Sequence, residues 1–293
     1  MISILICTYK RPILLQKCIE SVINQIAKIE YEIIVVDNDK AQSAKEVADR
    51  FITHVQYFSQ PVKGLSNARN MSVSKANGEF ILFIDDDEYA EENWLSKIID
   101  CQQKYNADVV LGKVIYEIPK DFPSYIRKSS YFIRDTITTG QLATINQGYS
   151  GNTLVRKKLF KLRTPPFQTH FNHTGGEDSD FFNFLIQQSA KIVFCDEAII
   201  YEIQDEKRLE ISWFLNRGYL GGYNYTQFLF KNNSFLIAFF VIIKSFFGGI
   251  VISLSLLLLA LITPNKYFIK FISKFGNQLG KLGYIFKLKL KNY

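Results

Sequence analysis

The sequence predicts an α/β fold with a doubly wound, mostly parallel sheet flanked by helices. Short apolar runs alternate with helical stretches through the first 110 residues, and polar or acidic residues follow the ends of the runs. Helices of this length between strands imply right-handed crossovers and parallel pairing. A long apolar segment near the C-terminus predicts a hydrophobic helical membrane anchor after the sheet.

Each element is predicted from its own pattern of apolar residues. Pro12 suits a first helical turn, and Leu15, Ile19, Val22 and Ile26 then share one face of a helix. Further helices are predicted over 65–76, 91–105, 177–188 and 209–230. Short apolar runs bounded by polar residues predict buried strands over 2–7, 32–36, 55–58, 80–84, 108–111, 152–155 and 192–195.

The distribution of charge and the cysteine content limit the functional classes to which the protein can belong. The net charge of +7 is explained by the last 31 residues, which hold seven lysines and no acidic residue, so that 28 basic and 28 acidic residues remain in 1–262. A basic tail after an apolar segment favours an anionic membrane surface over nucleic acid. The four cysteines have no paired spacing and no secretory leader precedes them, which indicates buried thiols in a reducing compartment.

Candidate functional residues stand where the predicted strands end. Ligands of doubly wound sheets bind beyond the carboxyl ends of the strands. Thr8 and Tyr9 end the first strand, Asp37 the second, and 85–87 the fourth. Neither a Gly-x-Gly-x-x-Gly sequence nor a Walker loop follows any strand, which disfavours dinucleotide dehydrogenases and P-loop ATPases.

Asp85, Asp86 and Asp87 are the strongest metal candidates. Three adjacent carboxylates repel one another unless a cation lies among them, and Mg²⁺ or Mn²⁺ commonly bridges one or two carboxylates to a diphosphate. Such a metal would neutralise charge on a nucleotide diphosphate leaving group. The alternative is a solvated acidic turn.

Three other features each have two interpretations. Asp37 can accept hydrogen bonds from a base or ribose, or can close a turn. Arg69, in the helix that opens at Gly64, can face a nucleotide or lie on the surface. Asp178, after Gly175 and Gly176, can serve as a general base for an acceptor hydroxyl, or can complement the helix dipole.

In order and spacing, these residues resemble the family 2 glycosyltransferases, the inverting group with the GT-A fold. The resemblance covers residues 1 to about 225 and is closest to bacterial exopolysaccharide and capsule glycosyltransferases of the succinoglycan-pathway kind. Five motifs carry it, namely 4–11, 35–38, 64–70, 83–87 and 176–180.

The resemblance implies a role for each candidate residue. Asp178 would be the general base of a single displacement with inversion, and a divalent cation, Mn²⁺ or Mg²⁺, would lie on Asp85 and Asp87. The donor would be a nucleotide-diphosphate sugar, commonly of uridine, and the acceptor a hydroxyl of a lipid-linked glycan. The implied nucleotide contacts are Thr8, Tyr9, Asp37, Arg69 and Asp86, and the implied acceptor or sugar contacts are Gly151, Asn152 and Glu177.

Processive relatives carry a Gln-x-x-Arg-Trp motif that is absent here, and 213–218 occupies its place without matching it. The resemblance therefore implies addition of one sugar rather than polymerisation. A nucleotidyltransferase is disfavoured because 8–11 lacks the glycine- and arginine-rich loop of that class. A catalytically inactive homologue that binds nucleotide sugar or lipid remains the alternative function.

The predicted organisation is a glycosyltransferase domain over 1–230, with a nucleotide-binding half over 1–112 and an acceptor half over 113–230. A membrane segment follows over 231–263 and a basic tail over 264–293. Nucleotide sugars and the positive-inside rule both favour the cytoplasmic face of a bacterial inner membrane. A single transmembrane span would place the basic tail and the catalytic domain on opposite sides of the membrane. We therefore expect a re-entrant hairpin turning near 248–249, or a segment that lies in the plane of the interface.

Overall fold

A computed structural model describes residues 1–27, 29–133, 138–144, 147–173 and 175–288. The chain forms two compact units. The first comprises Met1–Tyr116 and Asp135–Ile203, and the second comprises Glu117–Arg134 and Gln204–Tyr293. The second unit is therefore formed by two separate stretches of the chain, and the later stretch runs from residue 204 through the C-terminal helices.

The first unit contains an eight-stranded sheet in the order β3-β2-β1-β4-β7-β6-β8-β5. Its strands are β1 (Ile2–Thr8), β2 (Tyr31–Asp37), β3 (Val55–Ser59), β4 (Phe80–Phe83), β5 (Glu88–Ala90), β6 (Val109–Glu117), β7 (Thr153–Arg156) and β8 (Ile192–Ile203). The helices that accompany them are α1 (Pro12–Ile23), α2 (Lys45–Arg50), α3 (Leu65–Lys75), α4 (Trp94–Tyr105) and α6 (Glu177–Gln187), with α5 (Ser124–Arg127) belonging to the second unit.

The sheet is parallel in its N-terminal half and mixed beyond it. Strand β1 pairs in parallel with β2 and β4, and β2 pairs in parallel with β3. Strand β7 is antiparallel to both β4 and β6, and β5 is antiparallel to β8. The parallel register brings Thr8 opposite Asp37 and ends β4 just before Asp85. The carboxyl edge predicted from the sequence therefore exists.

The core lies on both faces of this sheet because successive strand residues point to opposite sides. On β1, Ile4 and Ile6 join one buried cluster and Leu5 joins the other. Helix α1 covers the first face with Leu15, Ile19 and Val22. The expectation for Ile26 is wrong, since α1 ends at Ile23 and Ile26 is exposed. The second face is closed by a cluster of phenylalanines, Phe83, Phe160, Phe167 and Phe181.

The second unit is helical and contains α7 (Ile211–Asn232), α8 (Phe235–Ile262) and α9 (Pro264–Ile285). Among the described residues, α8 is the one helix that is long and apolar enough to cross a membrane by length and composition. The expected hairpin near 248–249 is wrong, because α8 runs through Gly248 and Gly249 without a break. The chain turns at Thr263 instead, where Pro264 cannot continue the previous helix and occupies the first turn of α9.

Helices α7 and α9 approach closely at glycines. A Cβ atom on Gly222 would collide with the Asn277 carbonyl, and one on Gly280 would collide with the Tyr219 carbonyl. Gly218 and Gly276 meet the facing backbone in the same way. The two Gly-x-x-x-Gly pairs let the backbones touch, a mode of packing common between helices in membranes.

We expect replacement of Ile19 by Ala to lower the free energy of unfolding by about 2–5 kcal/mol, because the side chain is fully buried against the sheet. Ile13→Ala on the same helix is the matched control, since Ile13 is 84% exposed and the expected change is within about 0.5 kcal/mol. Thermal unfolding of the full chain in mild detergent measures both. Equal losses from the two variants would contradict the assignment of the α1 faces.

Candidate functional site

The site is built around the acidic residues that follow β4. Asp86 and Asp87 have side chains that are 7% and 8% exposed, whereas the Asp85 side chain is 39% exposed. The Thr8 hydroxyl donates to Asp86 Oδ2 at 2.7 Å, and Arg11 Nη1 reaches Asp86 Oδ1 at 3.1 Å and Asp87 Oδ2 at 2.8 Å. The end of β1 and the start of α1 therefore neutralise part of the acidic cluster.

Arg69 lies on the other side of the acidic residues, on α3. Its side chain is 4% exposed, and its guanidinium forms an ion pair with Glu177 at the start of α6. Its Nη2 also lies 3.5 Å from Asp85 Oδ1. Buried charges are stable only when they are paired. Arg69 therefore ties α3 and α6 to the end of β4 and has little surface left for a ligand.

Burial raises the pKa values of three acidic groups in and beside this cluster. Desolvation raises the pKa of Asp86 to about 6, and Arg11 opposes part of that shift. Desolvation also raises the pKa of Glu88, reinforced by Asp85 and Glu202, and the pKa of Glu177, where Arg69 opposes the shift. Each raised value reflects negative charge held close together away from water, which an added cation would relieve.

The acidic cluster contains oxygen donors of the kind that bind divalent cations. Among the residues that the structure describes, no three His, Cys, Asp or Glu side chains converge as a complete metal centre. Mg²⁺ and Mn²⁺ sites for nucleotides, however, commonly use one or two carboxylates, with the remaining ligands from phosphate and water. Asp85 and Asp87 supply oxygen ligands of that kind in a crowded acidic cluster. The residues therefore fit such an ion.

Tyr9 is the exposed member of the predicted nucleotide group. The residue is 37% exposed, and two ammonium groups lie over its ring, Lys63 Nζ at 4.8 Å and Lys10 Nζ at 5.3 Å from the ring centroid. Lys10 has a φ of 58°, which turns the chain sharply after the strand. The exposed ring is suited to contact with a nucleotide base, and the two ammonium groups beside it, next to the acidic cluster, are suited to a diphosphate.

Asp37 is fully buried, and its carboxylate accepts hydrogen bonds from other groups of the protein. Oδ1 accepts from the Asp39 amide at 2.9 Å, while Oδ2 accepts from the Ala44 amide at 2.9 Å and the Tyr57 hydroxyl at 3.1 Å. The turn interpretation of Asp37 matches this arrangement. Its contact with a base or ribose stays a prediction, and it would require these bonds to rearrange.

Gly151 and Asn152 are also internal. The Asn152 side chain accepts from the Trp94 indole at 2.6 Å and donates to the carbonyls of Lys113 and Ala198, both at 2.8 Å. A Cβ atom on Gly151 would lie against the Glu88 carboxyl group, which accepts from the Asp85 amide at 2.7 Å. Both residues determine the course of the backbone beside the acidic cluster, and neither has an exposed surface in the structure.

Asp178 lies in the first turn of α6, one residue after Glu177. Gly176 precedes the helix with a φ of 98°, a conformation that glycine adopts without strain. The Asp178 side chain is partly exposed and accepts from the Ser179 amide at 2.7 Å. Arg69 joins this turn to Asp85 through Glu177, so the ion pairs of one buried guanidinium link the turn of the candidate base to one of the candidate metal ligands.

Four residues of this region were not predicted from the sequence as site residues, namely Arg11, Glu88, Lys10 and Lys63. Arg11 and Lys10 directly follow the predicted nucleotide residues, and Lys63 precedes Gly64, so their position along the chain was the available signal. Glu88 follows the three aspartates directly, but its burial of 97% depends on packing against β8. Nothing local in the sequence distinguishes it from a solvated glutamate.

The sequence model of a family described as "Glycosyl transferase family 2" matches residues 3–163, which is more than half of the 293 residues. The chain belongs to glycosyl transferase family 2. The predicted family and enzyme class are therefore confirmed, and the protein is a glycosyltransferase. The matched residues include Asp85–Asp87 and Arg69, but end before Asp178.

Named relatives agree with the family. The Succinoglycan biosynthesis protein ExoM of Rhizobium meliloti (strain 1021) is 28% identical over 78% of this chain and 75% of its own length. Among solved structures, the mannosyltransferase PcManGT from Pyrobaculum calidifontis in complex with GDP-Man and Mn²⁺ has a TM-score of 0.67 at 14% identity, covering 98% of this chain and 88% of that one. S. aureus TarS 1-349 in complex with UDP-GlcNAc has a TM-score of 0.54 at 18% identity, covering 75% and 65%. At these identities the two structures confirm the predicted fold and nothing finer.

We expect Arg69→Gln to destabilise the protein by about 3–5 kcal/mol, because it leaves the Glu177 carboxylate buried and unpaired. Lys45→Gln breaks the exposed Lys45–Asp49 pair and is the control, with an expected loss below about 1 kcal/mol. Thermal unfolding measures both. The double variant Arg69→Gln/Glu177→Gln should recover part of the loss, and additive losses from the two single changes would show that the pair is not coupled.

Proposed function

We propose that this glycosyltransferase transfers one sugar from a UDP-sugar to a hydroxyl of a lipid-linked glycan, with inversion at the anomeric carbon. The observation that carries the proposal is the acidic edge of the sheet, where Asp85–Asp87 lie beside the buried Arg69–Glu177 pair that fixes the turn containing Asp178. A leaving-group site and a partly exposed carboxylate are thus held on one framework.

The donor would bind across the ends of β1 and β4. Tyr9 offers an exposed ring for the base, and Lys10 and Lys63 carry positive charge for the diphosphate. Uridine follows from the resemblance of the motifs. Support from solved structures is divided, since TarS is named with UDP-GlcNAc and PcManGT with GDP-Man. The nucleotide is therefore part of the proposal and of its test.

Asp85 and Asp87 would hold the divalent cation, with Asp87 as the more direct ligand. When bound, the ion supplies positive charge that stabilises the departing diphosphate. Arg11, which now contacts Asp86 and Asp87, lies where it can add to that charge. Thr8 fixes Asp86 through its hydroxyl, so Asp86 keeps its orientation while Asp85 and Asp87 bind.

Asp178 would accept the proton of the acceptor hydroxyl. As the proton moves to the carboxylate, the acceptor oxygen forms a bond to the anomeric carbon from the face opposite the diphosphate. The bond between that carbon and the diphosphate oxygen breaks, and the electron pair leaves with UDP. A single displacement of this kind inverts the configuration, so an α-linked donor gives a β-linked product.

Glu177 and Arg69 take a different role from the one implied by the resemblance. Because both side chains are 4% exposed and bonded to each other, we propose that they position Asp178 and Asp85 and do not bind acceptor or nucleotide. Asn152 and Gly151 would likewise support the site from the interior of the protein, through their contacts with Trp94 and Glu88.

The biological setting is proposed from the relative's name and from the helices. ExoM is named a succinoglycan biosynthesis protein, which supports a role in surface polysaccharide synthesis. The apolar helix α8 supports a membrane location and a lipid-linked acceptor. Nucleotide sugars and the lysine-rich C-terminus support the cytoplasmic face.

We expect Asp178→Asn to lower kcat by about 10²–10⁴-fold, because the amide that replaces the carboxylate cannot accept the proton of the acceptor hydroxyl. Affinity for UDP should change little. Asp100→Asn on the exposed face of α4 is the matched control and should leave kcat unchanged. Release of UDP from a panel of UDP-sugars with polyprenyl-linked acceptors measures kcat. Full activity of Asp178→Asn, or a product of retained configuration, would refute the mechanism.

We expect UDP binding to depend on Mn²⁺ or Mg²⁺, and to weaken at least tenfold in EDTA or in Asp87→Asn, because the diphosphate then loses the positive charge of an ion held between it and the carboxylates. Calorimetric titration of the full chain measures this, with Asp100→Asn again as control. UDP binding of equal strength with and without the metal would refute the proposed metal site. Metal-dependent binding without turnover on any acceptor would favour the inactive, nucleotide-sugar-binding alternative.

A further inference from the structure

Helix α9 is amphipathic along its whole length. Lysines recur at intervals of four on one flank, at Lys266, Lys270 and Lys274. Large apolar residues recur at intervals of three and four on another flank, at Phe268, Phe271, Phe275, Leu279, Leu282 and, just past the helix, Phe286. The helix contains no acidic residue, so nothing on α9 itself neutralises the basic flank.

The other two sides of α9 are occupied by its neighbours. Glycines at 276, 280 and 283 face α7. Lys281 and Gln278 face α8, where Lys281 Nζ donates to the Ser245 hydroxyl at 2.8 Å and to the Ser245 carbonyl at 3.0 Å, and the Gln278 amide abuts Gly249. Lys281 lies seven residues after Lys274, on the same side of the helix, but its ammonium group is bonded inside the seam between α8 and α9, so the basic flank is defined as Lys266, Lys270 and Lys274.

Matching residues give the directions of the helices. Contacts between 215 and 276, 219 and 280, and 223 and 284 keep a constant offset, so α7 and α9 run parallel. Contacts between 245 and 281 and between 249 and 278 run the opposite way, so α8 and α9 form an antiparallel hairpin that closes at Thr263. Helix α9 thus lies between α7 and α8. Near its start Phe268 packs on Tyr125 of α5, whereas Lys266, Lys274, Phe275 and Leu279 are exposed.

The uncovered apolar surface continues from α9 onto α8. Phe275 and Leu279 are 43% and 37% exposed. Helix α8 exposes many large apolar side chains and is 11% buried over its most apolar 18 residues. In water such a surface would be unfavourable, and it marks a contact with lipid or another apolar phase.

We propose that the hairpin of α8 and α9 lies in the plane of an anionic bilayer, with the Phe275 flank among acyl chains and the lysine flank at lipid phosphates. Charge complementarity selects an anionic surface, because the last 31 residues hold seven lysines and no acidic residue. A helix that crossed the bilayer would place Lys270 and Lys274 at the depth of the hydrocarbon, where ammonium groups are costly. Lying in the plane, α9 keeps every lysine of that flank at headgroup level.

The first test measures depth at two sites of one helix. Leu279→Cys and Lys274→Cys are spin-labelled in the full chain, reconstituted in vesicles of phosphatidylcholine and phosphatidylglycerol at 7:3. Label bound by the native cysteines, of which three are buried, is measured on the unsubstituted chain and subtracted. We expect the label at 279 to be accessible to oxygen and shielded from a water-soluble nickel chelate, and the label at 274 to show the reverse.

Two outcomes would overturn the in-plane arrangement. Shielding of both labels from the nickel chelate would show that α9 crosses the bilayer, and access of the chelate to both would show that α9 lies in water. Neither readout depends on sugar transfer, so failure of this inference is distinguishable from failure of the proposed enzyme activity.

The second test measures lipid preference. Detergent-solubilised protein is offered a mixture of phosphatidylcholine vesicles and 7:3 phosphatidylcholine–phosphatidylglycerol vesicles that separate by density. We expect Lys266→Gln/Lys270→Gln/Lys274→Gln to reduce the preference for anionic vesicles on the order of a hundredfold, about fivefold for each lysine. The control Lys40→Gln/Lys158→Gln/Lys161→Gln removes three exposed lysines of the first unit and should keep the preference. An equal effect of both triple variants would refute a specific role for α9.

Discussion

The buried guanidinium of Arg69 is the constraint on which the site depends. It is enclosed by Glu177 and Asp85, so helix α3, the first turn of α6 and the end of β4 must keep their mutual distances to avoid an unpaired charge in the interior. The cost of losing either partner is several times larger than that of an exposed pair. Proximity between the leaving-group region and the candidate base is thereby fixed by electrostatics, while hydrophobic packing alone would tolerate small shifts.

Most polar residues around this pair also serve the fold. Thr8 and Arg11 hold Asp86, Asp37 closes the turn after β2, and Asn152 joins three segments through its amide. Fewer residues have larger exposed surfaces, namely Asp85, Tyr9, Lys10, Lys63 and Asp178, and Asp87 lies at the border of the two groups with 8% of its side chain exposed. The edge of the sheet therefore consists of an internal layer of satisfied polar groups that supports a small number of exposed ones. This division explains why several motif residues that resemble ligand contacts are buried.

The architecture could be predicted well where local patterns determine it. The alternation of apolar runs located β1, β2, β4 and α1 to within a few residues, and three adjacent aspartates after an apolar strand marked the acidic edge. The Arg69–Glu177 pair could not be predicted, because its partners lie 108 residues apart and no local feature links them. The position of the turn after α8 was also missed, since two adjacent glycines suggested a break, whereas Pro264 and the packing of Gly249 on Gln278 placed it at Thr263.

The proposed mechanism depends most on a divalent cation that Asp85 and Asp87 would bind together with the donor diphosphate. Diffraction from crystals grown with UDP and Mn²⁺, collected at the manganese absorption edge, tests it most directly. We expect one anomalous peak in contact with the carboxylate of Asp87 and the UDP diphosphate, with Arg69 still paired to Glu177. A peak remote from 85–87, or UDP bound there without any peak, would contradict the account.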